Sequence, residues 1–351
     1  MRVVITGATG NVGASLVRAL GEDDAVTSIV GLARRRPKWR PAKTEWAAAD
    51  ISSDDLAAPF EGAEAVVHLA WLIQPSRRTD LLWRTNVAGS RRVFDAAARA
   101  GATTIVYASS VGAYSPGPKD RRVDERWPVM GVPTSFYSRH KAEVERSLDA
   151  FEAQHPGIRV VRLRPGLLFK RASATEQRRL FAGPFVPVSL LRRQLIPFVP
   201  DVDGLRFQAL HTSDVADAYR RAVTQDVRGA FNLAAEPVLD PQELGRILHA
   251  RPVKVSPRLL RAIVHATWRM HLQPTPPGWL DMGLNVPVMD TSRARAELGW
   301  NPRFSSSEAV LELLEGMRTK AGTPTPPLDP ETSGRGRVRE ILTGMGRRSG
   351  L

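Results

Sequence analysis

An apolar run, Arg2-Val3-Val4-Ile5, leads at once into Thr6-Gly7-Ala8-Thr9-Gly10-Asn11-Val12-Gly13, and helical periodicity follows over residues 12–20. Glycines at this spacing between a strand and a helix do three things. One allows a tight turn, the next lets the backbone approach a pyrophosphate, and the last lets helix and strand pack closely. The helix start then offers free N–H groups and the positive end of its dipole to a phosphate. Gly7, Thr9, Gly10, Asn11, Val12 and Gly13 are therefore expected to hold a dinucleotide.

Strand-like runs recur at 28–32, 65–70, 104–109 and 159–163, with amphipathic helical stretches at 82–100 and 135–154. On the helix at 82–100, Val87, Val93, Phe94 and Ala97 share one face. Strands spaced by helices imply parallel pairing through right-handed crossovers, with both sheet faces covered. The expected fold is α/β, a Rossmann-type doubly wound parallel sheet with a smaller, discontinuous C-terminal substrate region. The dinucleotide-binding domain is expected over 1–165, with 206–234 returning to it. The substrate region is expected over 166–205 and 235–318. Residues 319–351, with Thr-Pro repeats, glycines and arginines, are expected to be a disordered tail carrying a candidate short helix at 338–342.

The chain of 351 residues has no cysteine, which excludes disulfides, thiolate metal sites and cysteine nucleophiles. That fits a reducing compartment, and a cytoplasmic location is expected. The N-terminus enters a strand-like run directly, so no signal peptide is expected. No stretch approaches the roughly 18 apolar residues of a membrane span. The longest candidate, 65–73, contains His68 and reads as a buried strand and its exit. The net charge is +14, with 43 Arg against 7 Lys. Two readings stand: affinity for polyanions, or background composition, since the arginines are spread along the whole chain. No nucleic-acid-binding spacing accompanies the charge, so no nucleic-acid partner is expected.

Tyr137-Ser138-Arg139-His140-Lys141 places a phenol and an ammonium one helical turn apart, on one face. A nearby cation lowers a phenol's pKa and lets it exchange a proton closer to neutral pH. Ser109 and Ser110 follow Ile105-Val106-Tyr107-Ala108, where a hydroxyl at the carboxyl end of a parallel strand points into the ligand crevice. The second strand ends on Ala33, then Arg34, Arg35 and Arg36, where an NAD-specific site usually carries a carboxylate for the ribose hydroxyls. Arginine there pairs with a 2′-phosphate, so NADP is expected over NAD. Asp50-Ile51 stands at the next strand end. Asp50 reads either as a contact to the adenine amino group or as an exposed N-cap for the following helix.

Together these residues resemble the short-chain dehydrogenase/reductase superfamily, in its extended branch, the NAD-dependent epimerase/dehydratase family. The resemblance spans residues 1–318. It also takes in His68-Leu69-Ala70, Asn86-Val87-Ala88-Gly89, Tyr114, Arg164-Pro165-Gly166, His211-Thr212-Ser213-Asp214-Val215, Phe231-Asn232-Leu233 and Leu298-Gly299-Trp300-Asn301-Pro302. It implies Tyr137 as proton donor or acceptor and Lys141 as the residue that binds the nicotinamide ribose and tunes Tyr137. It implies Ser110 on the substrate oxygen, Ser109 at the strand end, and Asn86 as a support of the catalytic architecture. Asp50, Ile51, Leu69, Ala70, Ser109 and Pro165 join the cofactor contacts, and a homodimer through helices around 86–100 and 135–154 is implied. Two departures stand out: Ala33 replaces the carboxylate of NAD-specific members, and Gly166-Leu167-Leu168-Phe169-Lys170 departs from the pattern common in nucleotide-sugar enzymes.

The expected function is an NAD(P)-dependent oxidoreductase moving hydride between nicotinamide and a carbinol or carbonyl carbon of a small molecule. Its alternatives are a nucleotide-sugar epimerase or dehydratase that oxidises transiently, and a non-catalytic NADP-binding sensor. Phe181, Phe185, Leu190, Leu191, Phe198 and Trp279 suggest a partly apolar pocket, or the core of the smaller region. The stretch 259–268, with Leu259, Leu260, Ile263, Val264 and Ala266 flanked by Arg258, Arg261 and Arg269, reads as a lid or core helix, or as one that touches a membrane surface.

Overall fold

The computed structural model describes residues 1–73, 77–182, 196–323, 325 and 328. Seven parallel strands form the central sheet: β1 (Arg2–Thr6), β2 (Ser28–Ala33), β3 (Thr44–Ala48), β4 (Ala65–His68), β5 (Thr104–Ala108), β6 (Arg159–Pro165) and β7 (Gly229–Leu233). Their order is β7-β6-β5-β4-β1-β2-β3. Strand order reverses between β4 and β2, on either side of β1, and such a switch point opens a crevice at the carboxyl ends of the strands.

Both faces of the sheet are apolar, so the strands read as nearly continuous hydrophobic runs. Alternation still sorts the side chains. Val3 and Ile5 face α1 (Asn11–Gly21), while Val4 faces the opposite layer, made by α2 (Gly89–Arg99) and α3 (Phe136–Gln154). The first layer is completed by α4 (Thr212–Thr224), whose Tyr219 and Ala222 meet Leu16 and Leu20, and by Trp300. Phe94, Leu148 and Phe151 fill the other side. β7 brings residues from beyond 206 back to the sheet edge through its register with β6.

Local chemistry explains the boundaries. Ser135 accepts a hydrogen bond from the Ser138 amide and so caps α3 one residue inside the expected start. The helix expected over 82–100 is present as a continuous helical stretch that starts earlier, at Thr79, and contains a π-type turn: Thr79–Trp83, then Arg84–Ala88, then α2. β4 and β5 stop at His68 and Ala108, one or two residues short of expectation. After β4, the Leu69 and Ala70 amides turn to the Thr6 carbonyl and hydroxyl. The strand whose end was expected at Asp50-Ile51 is Thr44–Ala48; it stops two residues earlier, lies at the sheet edge and carries no fully buried residue.

Beyond β6 the chain makes small parallel strand pairs, Leu167–Phe169 with Ala209–His211 and Phe198–Asp201 with Arg251–Lys254, followed by α5 (Pro257–Arg269) and α6 (Pro277–Asn285). Thr325 and Leu328 are buried; the candidate helix at 338–342 lies outside the described residues. Among the described residues no helix is long and apolar enough to cross a membrane.

Candidate active site

Ser109 and Ser110 sit just past the carboxyl end of β5. The Ser110 hydroxyl accepts the Gly112 amide at 3.0 Å and hydrogen-bonds Tyr137, which stands in the first turn of α3. Gly112 makes that approach possible: a Cβ on it would lie 2.9 Å from Tyr137 Cε1 and 2.9 Å from Met282 Sδ. Tyr137 is buried between two indoles, with Trp279 tilted at 4.7 Å between centroids and Trp71 edge-on at 5.9 Å. Burial pushes its phenol up to about 12, and the Ser110 hydrogen bond offsets that only in part.

Lys141 follows one turn later, but its expected influence on the phenol is corrected. Its Nζ donates to the Ala108 carbonyl at 2.5 Å and lies 3.5 Å from the centroid of Trp71, while the Tyr137 ring is 5.8 Å away. Burial drives the ammonium well below its ordinary pKa, and Glu145 opposes the shift. The ammonium is engaged by Ala108 and Trp71, and desolvation dominates the Tyr137 phenol.

Glu145 is the next residue on that helix face, and sequence reasoning passed over it. Arg164 donates to it from Nε at 2.8 Å and Nη2 at 2.9 Å, Ser109 Oγ from 2.5 Å, and Arg162 lies at 3.3 Å. These partners hold the carboxyl below its usual range despite burial. Arg164 also donates to the Tyr114 hydroxyl, which donates to Asn232 on β7. The available signal was the Tyr137, Lys141, Glu145 spacing on one helix face, with Arg162 and Arg164 two apart on a buried strand.

Asn86, on the π-type turn, is fully buried. Its carboxamide accepts from the Leu72 amide at 2.7 Å and donates to the Leu72 carbonyl at 3.0 Å, so it holds the chain that leaves β4 beside Trp71. Beneath it, His68 bridges the Thr6 hydroxyl at 2.7 Å and the Ser90 hydroxyl at 2.8 Å.

The glycine turn has the shape a pyrophosphate needs. Gly7 has φ +72°, and a Cβ on it would meet the Ala70 backbone at 2.7 Å; one on Gly13 would meet the Gly7 carbonyl at 2.4 Å. Gly10 caps α1 with no side chain over its first amides, those of Asn11, Val12 and Gly13. Thr9 is buried within the turn. Leu69 and Ala70 line the turn from β4, and Pro165 is buried as the last residue of β6. Arg34 is exposed just past β2, with Asp50 near enough to interact electrostatically. Asp50 Oδ1 accepts from the Ser52 amide at 2.9 Å and the Ser52 hydroxyl at 2.6 Å, so it caps a turn. Ile51 is buried against Gly89, which places its side chain in the core. Lys170 was not foreseen as a neighbour of this turn. Its Nζ reaches the Asn11 carbonyl at 2.7 Å and the Ser15 hydroxyl at 3.0 Å, and burial lowers it to about 8. No local pattern links residues so far apart in the chain.

The wall around Tyr137 is apolar: Trp279, Met282 and Val286 from α6 and its end, with Val132, Phe136 and Ile73. Phe181 packs edge-on against Trp279 at 5.1 Å. Phe185, Leu190 and Leu191 lie outside the described residues. Phe198, counted with the pocket or core, is corrected: it is 61% exposed.

Comparison with known proteins places these features. The family model described as NAD dependent epimerase/dehydratase family matches residues 3–234. An uncharacterized protein of Mycobacterium tuberculosis is 26% identical over 348 residues, covering 93% of this chain and 86% of its own length. A putative dihydroflavonol 4-reductase of Synechocystis is 32% identical over 157 residues, covering 43% of this chain and 45% of its own. The crystal structure of a UDP-glucose 4-epimerase from Thermus thermophilus, in complex with NAD, superposes with a TM-score of 0.64 at 20% identity, covering 91% of this chain and 99% of that one.

His68 generates a pH prediction. Burial, reinforced by Lys141, pushes its imidazole down to about 3. The unfolded chain therefore binds more protons than the native one below the ordinary histidine pKa of about 6.5. The stability this creates is complete above that pH and is lost progressively as the pH falls towards 3. In urea unfolding between about pH 6.5 and pH 5, His68→Gln should reduce the fall in stability by roughly 1 kcal/mol per pH unit. Parallel pH dependence in parent and variant would show that His68 already carries its proton in the fold.

Proposed function

Because this chain belongs to the NAD dependent epimerase/dehydratase family, we propose that it reduces an apolar carbonyl compound to the alcohol, with Tyr137 as the proton donor. The observation that carries the reading is Tyr137 itself: hydrogen-bonded to Ser110 at the end of β5 and walled by Trp71, Trp279 and Met282. A phenol raised to about 12 keeps its proton at neutral pH. It is therefore suited to protonating an oxygen on which negative charge builds, and poorly suited to starting as a base.

When bound, the dinucleotide supplies the hydride. The residues present fit such a group: the glycine turn leaves the first amides of α1 uncapped, and a Cβ on Gly10 would meet only the Gly7 carbonyl, at 3.3 Å. Ser110 positions the substrate oxygen beside the Tyr137 hydroxyl. Asn86 keeps the chain after β4 in place, and Lys141 holds the β5 end through Ala108. The aromatic walls exclude water and favour an apolar or aryl group on the substrate. This lining, together with the Leu167-Leu168-Phe169 stretch, counts against a nucleotide sugar. We propose NADP as the preferred cofactor on the strength of Arg34, an exposed cation just past the end of β2 that could pair with a 2′-phosphate.

Assembly as a homodimer through α2 and α3 belongs to the same reading. Trp83, 45% exposed and edge-on against His140, offers the apolar contact near that surface. A monomeric mass by light scattering at micromolar concentration would overturn it.

Two kinetic outcomes are expected. Tyr137→Phe, assayed against a panel of aryl and aliphatic carbonyls with NADPH, should lose ~10²–10⁴ in turnover while dinucleotide affinity stays within about threefold. Turnover close to the parent's, with any carbonyl the parent converts, would show that another group supplies the proton. Arg34→Ala should weaken NADPH binding by calorimetry ~10–100-fold, as expected for loss of a charged hydrogen-bonded contact, and leave NADH binding nearly unchanged. Equal affinities of the parent for both dinucleotides would remove the preference.

A further inference from the structure

α5 is a thirteen-residue helix with no buried residue. One side, with Leu260, Val264 and Trp268, is half-buried, and the helix packs on α6. A second apolar stripe faces solvent. Leu259, Ile263, Ala266 and Met270 fall at i, i+4, i+7 and i+11, within one narrow face of the helix. Leu259 is 56% exposed, Ile263 49% and Met270 60%, and Leu272 just beyond is also exposed. An isolated surface leucine needs no explanation, but an aligned row of large apolar side chains marks a contact surface.

The charge around that stripe is one-sided. From Leu244 to Leu280 the chain carries six Lys and Arg and no Asp or Glu. Arg246 pairs with Glu243, and Arg261 with Asp281 on α6. Arg251, Lys254, Arg258 and Arg269 make no ion pair among the described residues. Arg258 and Arg269 flank the exposed stripe on its solvent side.

We propose that the exposed face of α5 docks this protein on an anionic lipid surface, with Leu259, Ile263 and Met270 entering the headgroup and acyl boundary and Arg258 and Arg269 meeting lipid phosphates. The helix would lie in the interface rather than cross it. The charge pattern selects this occupant. A second copy meeting the same face about a two-fold axis would bring Arg258 and Arg269 against their own images with no carboxylate to separate them. A nucleic acid would satisfy the cations and leave the leucine and isoleucine row without a partner. An anionic membrane satisfies both, through apolar burial and attraction of flanking cations. The proposal stands apart from the chemistry assigned to Tyr137.

The test uses the full chain and vesicles of phosphatidylcholine, with and without phosphatidylglycerol, in a flotation assay. Binding should be at least ~10-fold tighter to the anionic vesicles and should weaken as salt is raised. Leu259→Gln with Ile263→Gln, and separately Arg258→Gln with Arg269→Gln, should each weaken vesicle binding ~10-fold. Both residue pairs are on the surface, so the thermal unfolding midpoint should not move. Equal binding to both vesicle types, or variants that bind as the parent does, would overturn the proposal. So would a change in oligomeric mass of the Leu259→Gln, Ile263→Gln variant by light scattering, since the face would then be covered by a second copy.

Discussion

The carboxylate of Glu145, gripped by both Nε and Nη2 of Arg164, ties the helix that carries Tyr137 to the sheet that carries Ser110. Other parts of the site hang from it. Ser109 donates to the same carboxylate and so sets the end of β5, where Ser110 begins. Arg164 continues to Tyr114 and the Glu125 carbonyl, and Tyr114 reaches Asn232 on the edge strand. Three strands and one helix are thus registered by one buried ionic group. Such pairs are weak contributors to net stability, because removing both charges from water costs much of what their attraction returns. Their directional hydrogen bonds, however, admit one arrangement of helix on sheet, which an apolar contact of the same size does not demand.

That registration explains how Tyr137 can be buried so completely and still face the crevice. α3 cannot slide along the sheet to expose its first turn, so the phenol stays against Ser110 between two indoles. Lys141, held on the same face, shares the dry environment, which pulls its pKa down while Glu145 opposes the shift. Desolvation keeps the proton on Tyr137, and on the proposed reading a carbonyl acceptor fits that state better than an alcohol donor. The apolar walls that raise the phenol would, on the same reading, also favour an apolar group against it, so that substrate preference and protonation state would share one physical origin.

The parts legible in the sequence are those encoded locally. The glycine turn is complete within residues 6–13, and the fold places Gly7 and Gly13 where a side chain would strike backbone. Tyr137 and Lys141 are one turn apart by helix geometry alone, and Ser110 follows from the end of an apolar strand. The unread parts depend on partners far along the chain or on strength of environment. Met282 and Trp279 reach Tyr137 from α6, and Lys170 reaches Asn11, with no periodicity to announce either. Helix spacing placed Lys141 near Tyr137, but it could not show that Trp71 would lie over the ammonium and that its donor would be taken by the Ala108 carbonyl. The π-type turn at Asn86 was hidden by a helical pattern that continues on both sides of it. The edge strand Thr44–Ala48 alternates too weakly for its pattern to be seen.

Two groups of basic residues show different physics. One is consumed inside the fold. Arg159 donates to the carbonyls of Ala222, Val223 and Val227, where α4 ends and its dipole is negative. Arg293 holds the Arg228 and Ala230 carbonyls, and Arg162 and Arg164 hold Glu145. A planar guanidinium with several fixed donors can bridge two or three acceptors at once, which an ammonium does less well, and that accounts for arginine over lysine at these places. The other population, Arg251, Lys254, Arg258 and Arg269, has no acid near it in the sequence and no ion pair among the described residues. The composition alone could not separate the two, because net charge counts a guanidinium equally whether it caps a helix or faces solvent. The second group contributes a local field outside the protein, and it gathers along one amphipathic helix and the strand that precedes it.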